Sequence, residues 1–517
     1  MEWKRAIRRR RSIMSSGEGL LLDIIENPGD DCLRRIYADW LDDEGQHDRA
    51  ELVRVQLDLA ALDDDDPRRD PLQQREGQLL RRHQTEWLEP FTVRGERVGW
   101  VHFHRGFPSQ WVLDVPAFLC HGEAIFSRTP LSSLRFGDLS SEVLVDQLWQ
   151  SPILDRVEEL NLEGSNLSVW NFVKLLQHRP LSQLRRLTLN KLPIGHMGLS
   201  ALLRHPISLR LNALSLIHCD VRGNAIEELC ACPNLGELVT LDLGENQLGA
   251  IDMQFLGSAR HLPALRELKL NGNRIGPTAV RDLAQSSRLR ALEALHLGFN
   301  PLGSDGVEEL ARTSCLTQLD TLDLSHTNVS VGATAALSRA AFFPRLRRFD
   351  LSGNQIGGDA ISALVRGQHV APLTFLDLSD NDLDDDAART LGTWSGLSRL
   401  RRLVLSRNRI RAHGLRPLLF SPFMGPLIEL RLNQNPLGDM GGQVLARWSG
   451  LKRLHLLEVA HSRIGDVGAS ELVDAINRLD WLNIRENQMS STSVQRLNEA
   501  ADTGRIGQLD CGDQLEA

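Results

Sequence analysis

One spacing governs most of this chain. The segments LVTLDLGENQLG from Leu238, LRELKLNGNRIG from Leu265 and LEALHLGFNPLG from Leu292 share the pattern L-x-x-L-x-L-x-x-N-x-L-G and begin 27 residues apart. The same start recurs from Val157 and Leu184 to Leu454 at intervals of 27, and a last copy begins 25 residues later at Leu479. A chain of 517 residues could hold several compact domains, but a fixed period of this length means a stacked array.

Each copy carries its own structural instruction. In L-x-L the leucines alternate with a polar residue, which specifies a short strand with one buried face. Eighteen residues after each start stands a leucine, from Leu175 and Leu202 to Leu472 and Leu497. Four residues before that leucine the side chain is usually small, as at Gly198, Ala225, Gly306, Ala360, Gly414 and Gly468. The spacing predicts a helix lying close against the strand layer. Strands pack about 4.8 Å apart and helices about 8–10 Å apart, so such a stack must curve into a horseshoe with parallel strands inside. The Asn position is filled by Asn246, Asn273, Asn300, Asn354, Asn381, Asn408, Asn435 and Asn487, where a buried amide can satisfy backbone groups as the chain leaves the strand. Ser165, Cys219, Thr327 and Ser462 are small stand-ins there, and Leu192 departs from the pattern.

These motifs resemble the leucine-rich repeat, and the period and helical second half are most similar to its ribonuclease-inhibitor subclass. The resemblance covers residues 131–517. It implies an α/β fold: a right-handed leucine-rich-repeat solenoid with parallel inner strands and outer helices, here preceded by a small α-helical domain.

The ends differ in kind. RVGWVHFHRGFPSQWVLDV alternates apolar residues around a Gly-Phe-Pro turn and reads as a capping hairpin, followed by a helix from about Pro116 to Phe126. Upstream, GEGLLLDIIENPGDD places Leu21, Leu22, Ile24 and Ile25 on a helix that stops at Asn27-Pro28-Gly29. Asp30 or Asp31 then caps a second helix with Leu33, Ile36, Tyr37, Trp40 and Leu41 on its apolar face, and Arg35 and Asp39 one turn apart. A third helix, DRAELVRVQLDLAAL, follows Gly45. The stretch from Asn27 through Tyr37, Ala38, Asp39, Trp40 and Leu41 to Arg49, Glu51, Arg54 and Gln56 resembles the bacterial repeat-companion domain, a helical module that precedes repeat arrays and carries no established activity. Asp42, Asp43 and Glu44 crowd the end of the second helix, where its dipole disfavours negative charge, so a basic group is expected there: Arg49, Arg54 or a partner.

The resulting organisation is a basic, disordered segment over 1–16, the helical module over 17–62, an acidic linker and helix over 63–90 and an N-terminal cap over 91–130. Repeats follow over 131–505, and a cap strand over 506–517.

Net charge is −8, which argues against specific nucleic-acid binding. The charge is uneven: residues 14–66 hold sixteen acids and four arginines, whereas residues 1–13 hold six basic side chains and one acid. That basic opening lacks the apolar run of a secretory signal, and reads either as an upstream start with Met14 the true beginning or as a basic arm. No apolar stretch approaches the length of a membrane span. Seven scattered cysteines point to reduced thiols and a cytoplasmic setting. Cys219 and Cys230 fall at repeat positions that take small buried residues, so Cys219, Cys230 and Cys232 read as structural rather than metal-binding.

No catalytic, cofactor or metal motif emerges; DNDLDDDAART lacks the glycine and closing glutamate of a calcium loop and reads as helix capping. The candidate site is therefore a protein-binding surface on the concave face. It comprises Asp242, Lys269, His296, Asp323, Asp350, Asp377 and Arg431 between the strand leucines, with the aromatic residues Phe299, Phe375 and Trp481. The three successive aspartates predict a negative stripe, partly neutralised by Arg347 and Arg348, and Arg401, Arg402 and Arg431 make the next strands positive. The reading is a monomeric, non-catalytic scaffold for a protein partner. The alternatives are a GTPase activator like the eukaryotic Ran activators, which share this repeat subclass, and an enzyme inhibitor of the ribonuclease-inhibitor kind.

Overall fold

The computed structural model describes residues 17–62, 68–93, 96–97, 99–367 and 369–512; the basic opening and the acids Asp63–Asp66 lie outside them. The chain divides into two compact units, Met1–Val221 with Cys232–Leu238, and Arg222–Ala231 with Val239–Ala517.

The first unit opens with four helices: α1 (Gly17–Glu26), α2 (Asp31–Asp43), α3 (His47–Ala61) and α4 (Arg69–Leu88). Asp30 caps α2, its carboxylate accepting the Cys32 N–H at 2.8 Å. Ala38, Leu41, Ala50, Val53 and Leu57 form the small core between α2 and α3, covered by Tyr37 and Trp40, whose rings stack at 5.5 Å. Two details depart from the sequence pattern. Ile36 points outward, and Arg34 is buried in its place. Arg35 and Asp39 do not pair with each other but reach across to α3, to Asp58 at 3.2 Å and Arg54 at 2.6 Å.

A short antiparallel pair follows, β1 (Thr92–Val93) and β2 (Glu96–Arg97), then the hairpin β3 (Trp100–His104) and β4 (Phe107–Leu113). The turn is Arg105-Gly106 rather than Gly-Phe-Pro, because Phe107 and Pro108 already lie in β4. Both turn residues have positive φ, 49° and 86°, as a two-residue hairpin with right-handed twist requires. Gly106 also has no room for a side chain: a Cβ there would lie 2.8 Å from the Cα of Val53 on α3. Helix α5 (Val115–Phe126) then leads into parallel strands at Ser133–Phe136, Glu159–Asn161, Arg186–Thr188 and Ala213–Ser215, the first of them paired with β4.

In the second unit eleven strands, from Thr240–Asp242 to Ile506–Asp510, pair in parallel, each with the next repeat's strand and without a register slip. The central residue of each three-residue strand is buried and its two neighbours are turned the other way, as the period of two demands. All the helix leucines from Leu175 to Leu497 are fully buried. Each contributes roughly 2 kcal/mol of apolar burial that an isolated repeat could not obtain.

The asparagines form an internal ladder, interrupted where Thr327 and Ser462 stand in and donate to the Leu324 and Ala460 carbonyls instead. The Asn381 amide donates to the carbonyls of Leu351 and Ser379 at 2.9 and 3.1 Å, while its oxygen accepts the N–H groups of Asn354 and Ile356 at 3.0 and 3.4 Å. One buried side chain thereby satisfies backbone groups of two repeats. In the first unit the thiol of Cys219 takes the same slot and donates to the Leu189 carbonyl at 3.1 Å.

Two of the small helix residues, Gly414 and Gly468, have a different reason from the one expected. A Cβ on Gly414 would lie 2.5 Å from the Cα of Asp385, and one on Gly468 would lie 2.8 Å from the Cα of Asp439. The close approach is to the helix start of the preceding repeat, not to the strand layer.

Candidate functional site

The strand face of the second unit places two rows of side chains side by side. Asp242, Lys269, His296, Asp323, Asp350 and Asp377 stand at matching positions on successive strands, followed by Val404 and Arg431. Phe375 belongs to the neighbouring row, between Arg348 and Arg402, and Trp481 lies further along it beside Leu456. Phe299 is not on a strand. It occupies the following turn with φ of 57°, is 59% exposed and stacks on His326 at 4.3 Å.

The predicted stripe is split into two electrostatic regimes. At one end His296 lies 3.4 Å from Glu267 and 3.8 Å from Asp323, and Asn271 donates to Asp323 at 2.8 Å. Burial alone lowers an imidazole pKa, but the Asp323 and Glu267 carboxylates outweigh it and hold His296 above its ordinary value. His296, ahead of Lys269, draws Glu267 down to about 2 despite burial. Burial opposes the ionised form of Asp323, and bonds from His296 and Ser325 overcome it, so this carboxyl also titrates low.

Asp350 and Asp377 behave in the opposite way. Each accepts a backbone N–H two residues on, from Ser352 and Ser379, both at 2.8 Å. Among the described residues no cation lies within ion-pair distance of either carboxylate. Burial, with Asp377 alongside, pushes Asp350 up to about 7, and burial raises Asp377 as well. Burial likewise raises Asp242.

The Arg348 guanidinium lies over the Phe375 ring at 4.9 Å. The positive stretch expected on the next strands is paired: Arg402 lies 3.6 Å from Glu429, and Arg431 lies 2.6 Å from Glu429 and 3.7 Å from Glu458. Glu267 and Glu429 were missed as site residues. The signal was present, because each stands two residues before a charged strand residue and so shares its face.

The acid run after Asp380 serves helix geometry: Asp384 accepts the Asp386 and Ala387 N–H groups at 3.1 and 2.9 Å, and Asp385 accepts those of Arg411 and Gly414 at 2.7 and 3.1 Å.

In the first unit the motif residues on α3 act as fasteners. Arg54 holds Asp39 and Asp42, each at 2.6 Å, and His47 lies 3.0 Å from Asp42. His47 and then Arg54 lower the Asp42 pKa. The basic group expected for the acidic helix end is thus internal, supplied by Arg54 and not by Arg49. Arg49 instead lies under the rings of Trp87 and Phe103 at 4.8 and 5.0 Å, and burial brings its pKa to about 10. Glu51 grips Arg75 through two bonds at 2.6 and 2.5 Å. Gln56 accepts the Gly106 N–H at 2.6 Å and donates to the Phe103 carbonyl at 3.1 Å, which fixes the hairpin turn.

Strand, Asn ladder and helix repeating in register build an α/β solenoid of leucine-rich repeats. A family model described as "Leucine Rich repeat" matches residues 261–284, 289–311, 345–365 and 371–392. No curated protein matches the sequence. Similar solved structures include an internalin from Listeria monocytogenes, 21% identical over 64% of this chain and 81% of that one, with a TM-score of 0.39. They also include the Rad7–Elc1 complex of yeast, 18% identical over 68% and 85%, TM-score 0.47. The TLR13–ssRNA13 complex is 19% identical over 74% of this chain and 51% of that chain, TM-score 0.41. Among the described residues no helix is long and apolar enough to cross a membrane.

Proposed function

We propose that this chain is a non-catalytic, monomeric, cytoplasmic scaffold of the ribonuclease-inhibitor-like subclass that holds a protein partner on the strand face of Val239–Ala517. The observation that carries this reading is the pair Asp350 and Asp377, partly buried on adjacent strands with no cation at ion-pair distance among the described residues. A lysine- or arginine-bearing segment would supply the missing charge, and Phe375 and Phe299 nearby offer the aromatic contact area that dominates such interfaces. Residues 17–62, the companion-like module, have their motif side chains committed to internal fastening. Recognition is therefore assigned to the repeats.

Affinity capture with the intact chain tests this. The protein retained by the wild type should be lost or much reduced with the Asp350→Asn/Asp377→Asn variant, which keeps shape and removes charge. Identical capture by both proteins, with unchanged circular dichroism, refutes the assignment. A turnover activity abolished by the same substitutions would refute the non-catalytic reading.

A further inference from the structure

A second feature lies in the first unit. Helix α2, the β3–β4 turn and the first parallel strands enclose a cavity of about 320 Å³ whose wall includes Arg34, His104, Arg105 and Arg186. Arg34 is only 2% exposed, and its Nε–H meets no acceptor among the described residues. Its one hydrogen bond among the described residues is long, 3.4 Å from Nη1 to the Asp30 carbonyl, and the Asp31 carboxylate is 4.0 Å away. That carboxylate is shared with Arg105 at 3.3 Å, and the Nε–H of Arg105 is also buried without an acceptor among the described residues. Two guanidiniums therefore divide one carboxylate, an arrangement that burial makes costly unless a further anion completes it.

The surrounding groups agree. Arg186, on the strand Arg186–Thr188, has no carboxylate within ion-pair distance among the described residues. Arg34, Arg105 and Arg186 line the cavity together with His104, whose pKa is pushed down to about 4 by burial first and then by the guanidiniums of Arg105, Arg34 and Arg186.

We propose that this cavity binds the oxyanion group of a small ligand, a phosphate or a carboxylate, through Arg34, Arg105 and Arg186. The planar guanidinium fork suits either group. Glu158 and Glu159, also in the wall, disfavour a polyanion and suit a ligand that carries amino or hydroxyl groups beyond its oxyanion. The cavity's volume sets the scale: a metabolite-sized molecule, not a polymer.

The test is a titration of the intact protein with inorganic phosphate, glycerol phosphate, acetate and succinate at ionic strength held constant with chloride. The readout is the His104 ring resonance, assigned with His104→Asn. The expected result is a saturable shift with the phosphate or the carboxylate series, with His104 titrating at higher pH when the ligand is bound. Arg186→Gln, at an exposed position, should weaken that binding roughly tenfold, the loss of one charge-assisted contact. Arg34→Met should abolish it, and Arg186→Gln keeps the test decisive if Arg34→Met does not fold. Saturation by phosphates alone or by carboxylates alone supports the site and names its ligand class. No response beyond that to chloride, or equal affinity in wild type and Arg186→Gln, overturns the proposal.

Discussion

The helical module and the repeat face use charge in opposite ways. In the module, Asp39, Asp42 and Glu51 each face an arginine at 2.5–2.6 Å, so these carboxylates are committed to internal pairing. On the repeat face, Asp350 and Asp377 have no such partner among the described residues, and the fold does not need one, since leucines and the Asn ladder hold the repeats together. Charge that is not needed for folding is free to serve recognition. Four experiments break or sharpen this contrast.

The largest effect is expected from the ladder. Asn381→Ala removes a fully buried amide and leaves backbone N–H and C=O groups of two repeats unpaired, so it should cost about 3–5 kcal/mol in denaturant unfolding. A loss below 1 kcal/mol would mean that the ladder is not what frees the aspartates from a structural role. Next, Gln56→Leu strips the Gly106 N–H and the Phe103 carbonyl of their partner and should cost about 2–3 kcal/mol, with faster amide exchange confined to α3 and the hairpin.

The third test concerns pH. Because the folded-state pKa of Asp350 lies near 7, above its value of 3.8 in the unfolded chain, ionising it destabilises the native state. Wild-type stability should fall as pH rises from about 4 to 7, and Asp350→Asn should be the more stable by on the order of 1–2 kcal/mol at pH 8 and equal near pH 3. Equal stability at both pH values would show that the carboxylate is solvated. The smallest effect has the opposite sign. The pKa of Asp42 is lowered, so its pairing stabilises above the ordinary carboxylate range and is lost as pH falls through the folded-state value. Asp42→Asn should slightly lower the melting temperature at pH 7 and leave it unchanged in strong acid.

What could be read from the sequence follows from how local the determinants are. The strand leucines, the Asn slots and the small helix residues recur at fixed spacing, so one repeat predicts the next. Their purpose was less legible: Gly414 faces Asp385 of the neighbouring helix, and which backbone approaches a small residue is not encoded in its spacing. On the candidate face the sequence placed Asp323, Asp350 and Asp377 on successive strands. Which of them stays charged depends on His296, Asn271 and Glu267, whose reach across strands only packing sets.

By itself, the sequence determined the period, the parallel strands, the buried leucine layer and the Asn ladder, because each repeat buries its apolar face only against a copy of itself. The tertiary structure decided which arginines pair and which do not. Arg34 lies on the same turn of sequence as Arg35, yet the hairpin some seventy residues later buries one beside Arg105 and leaves the other at the surface with Asp58. A charged side chain reads the same in either place; only the groups brought against it by folding set its partner, its desolvation and its use.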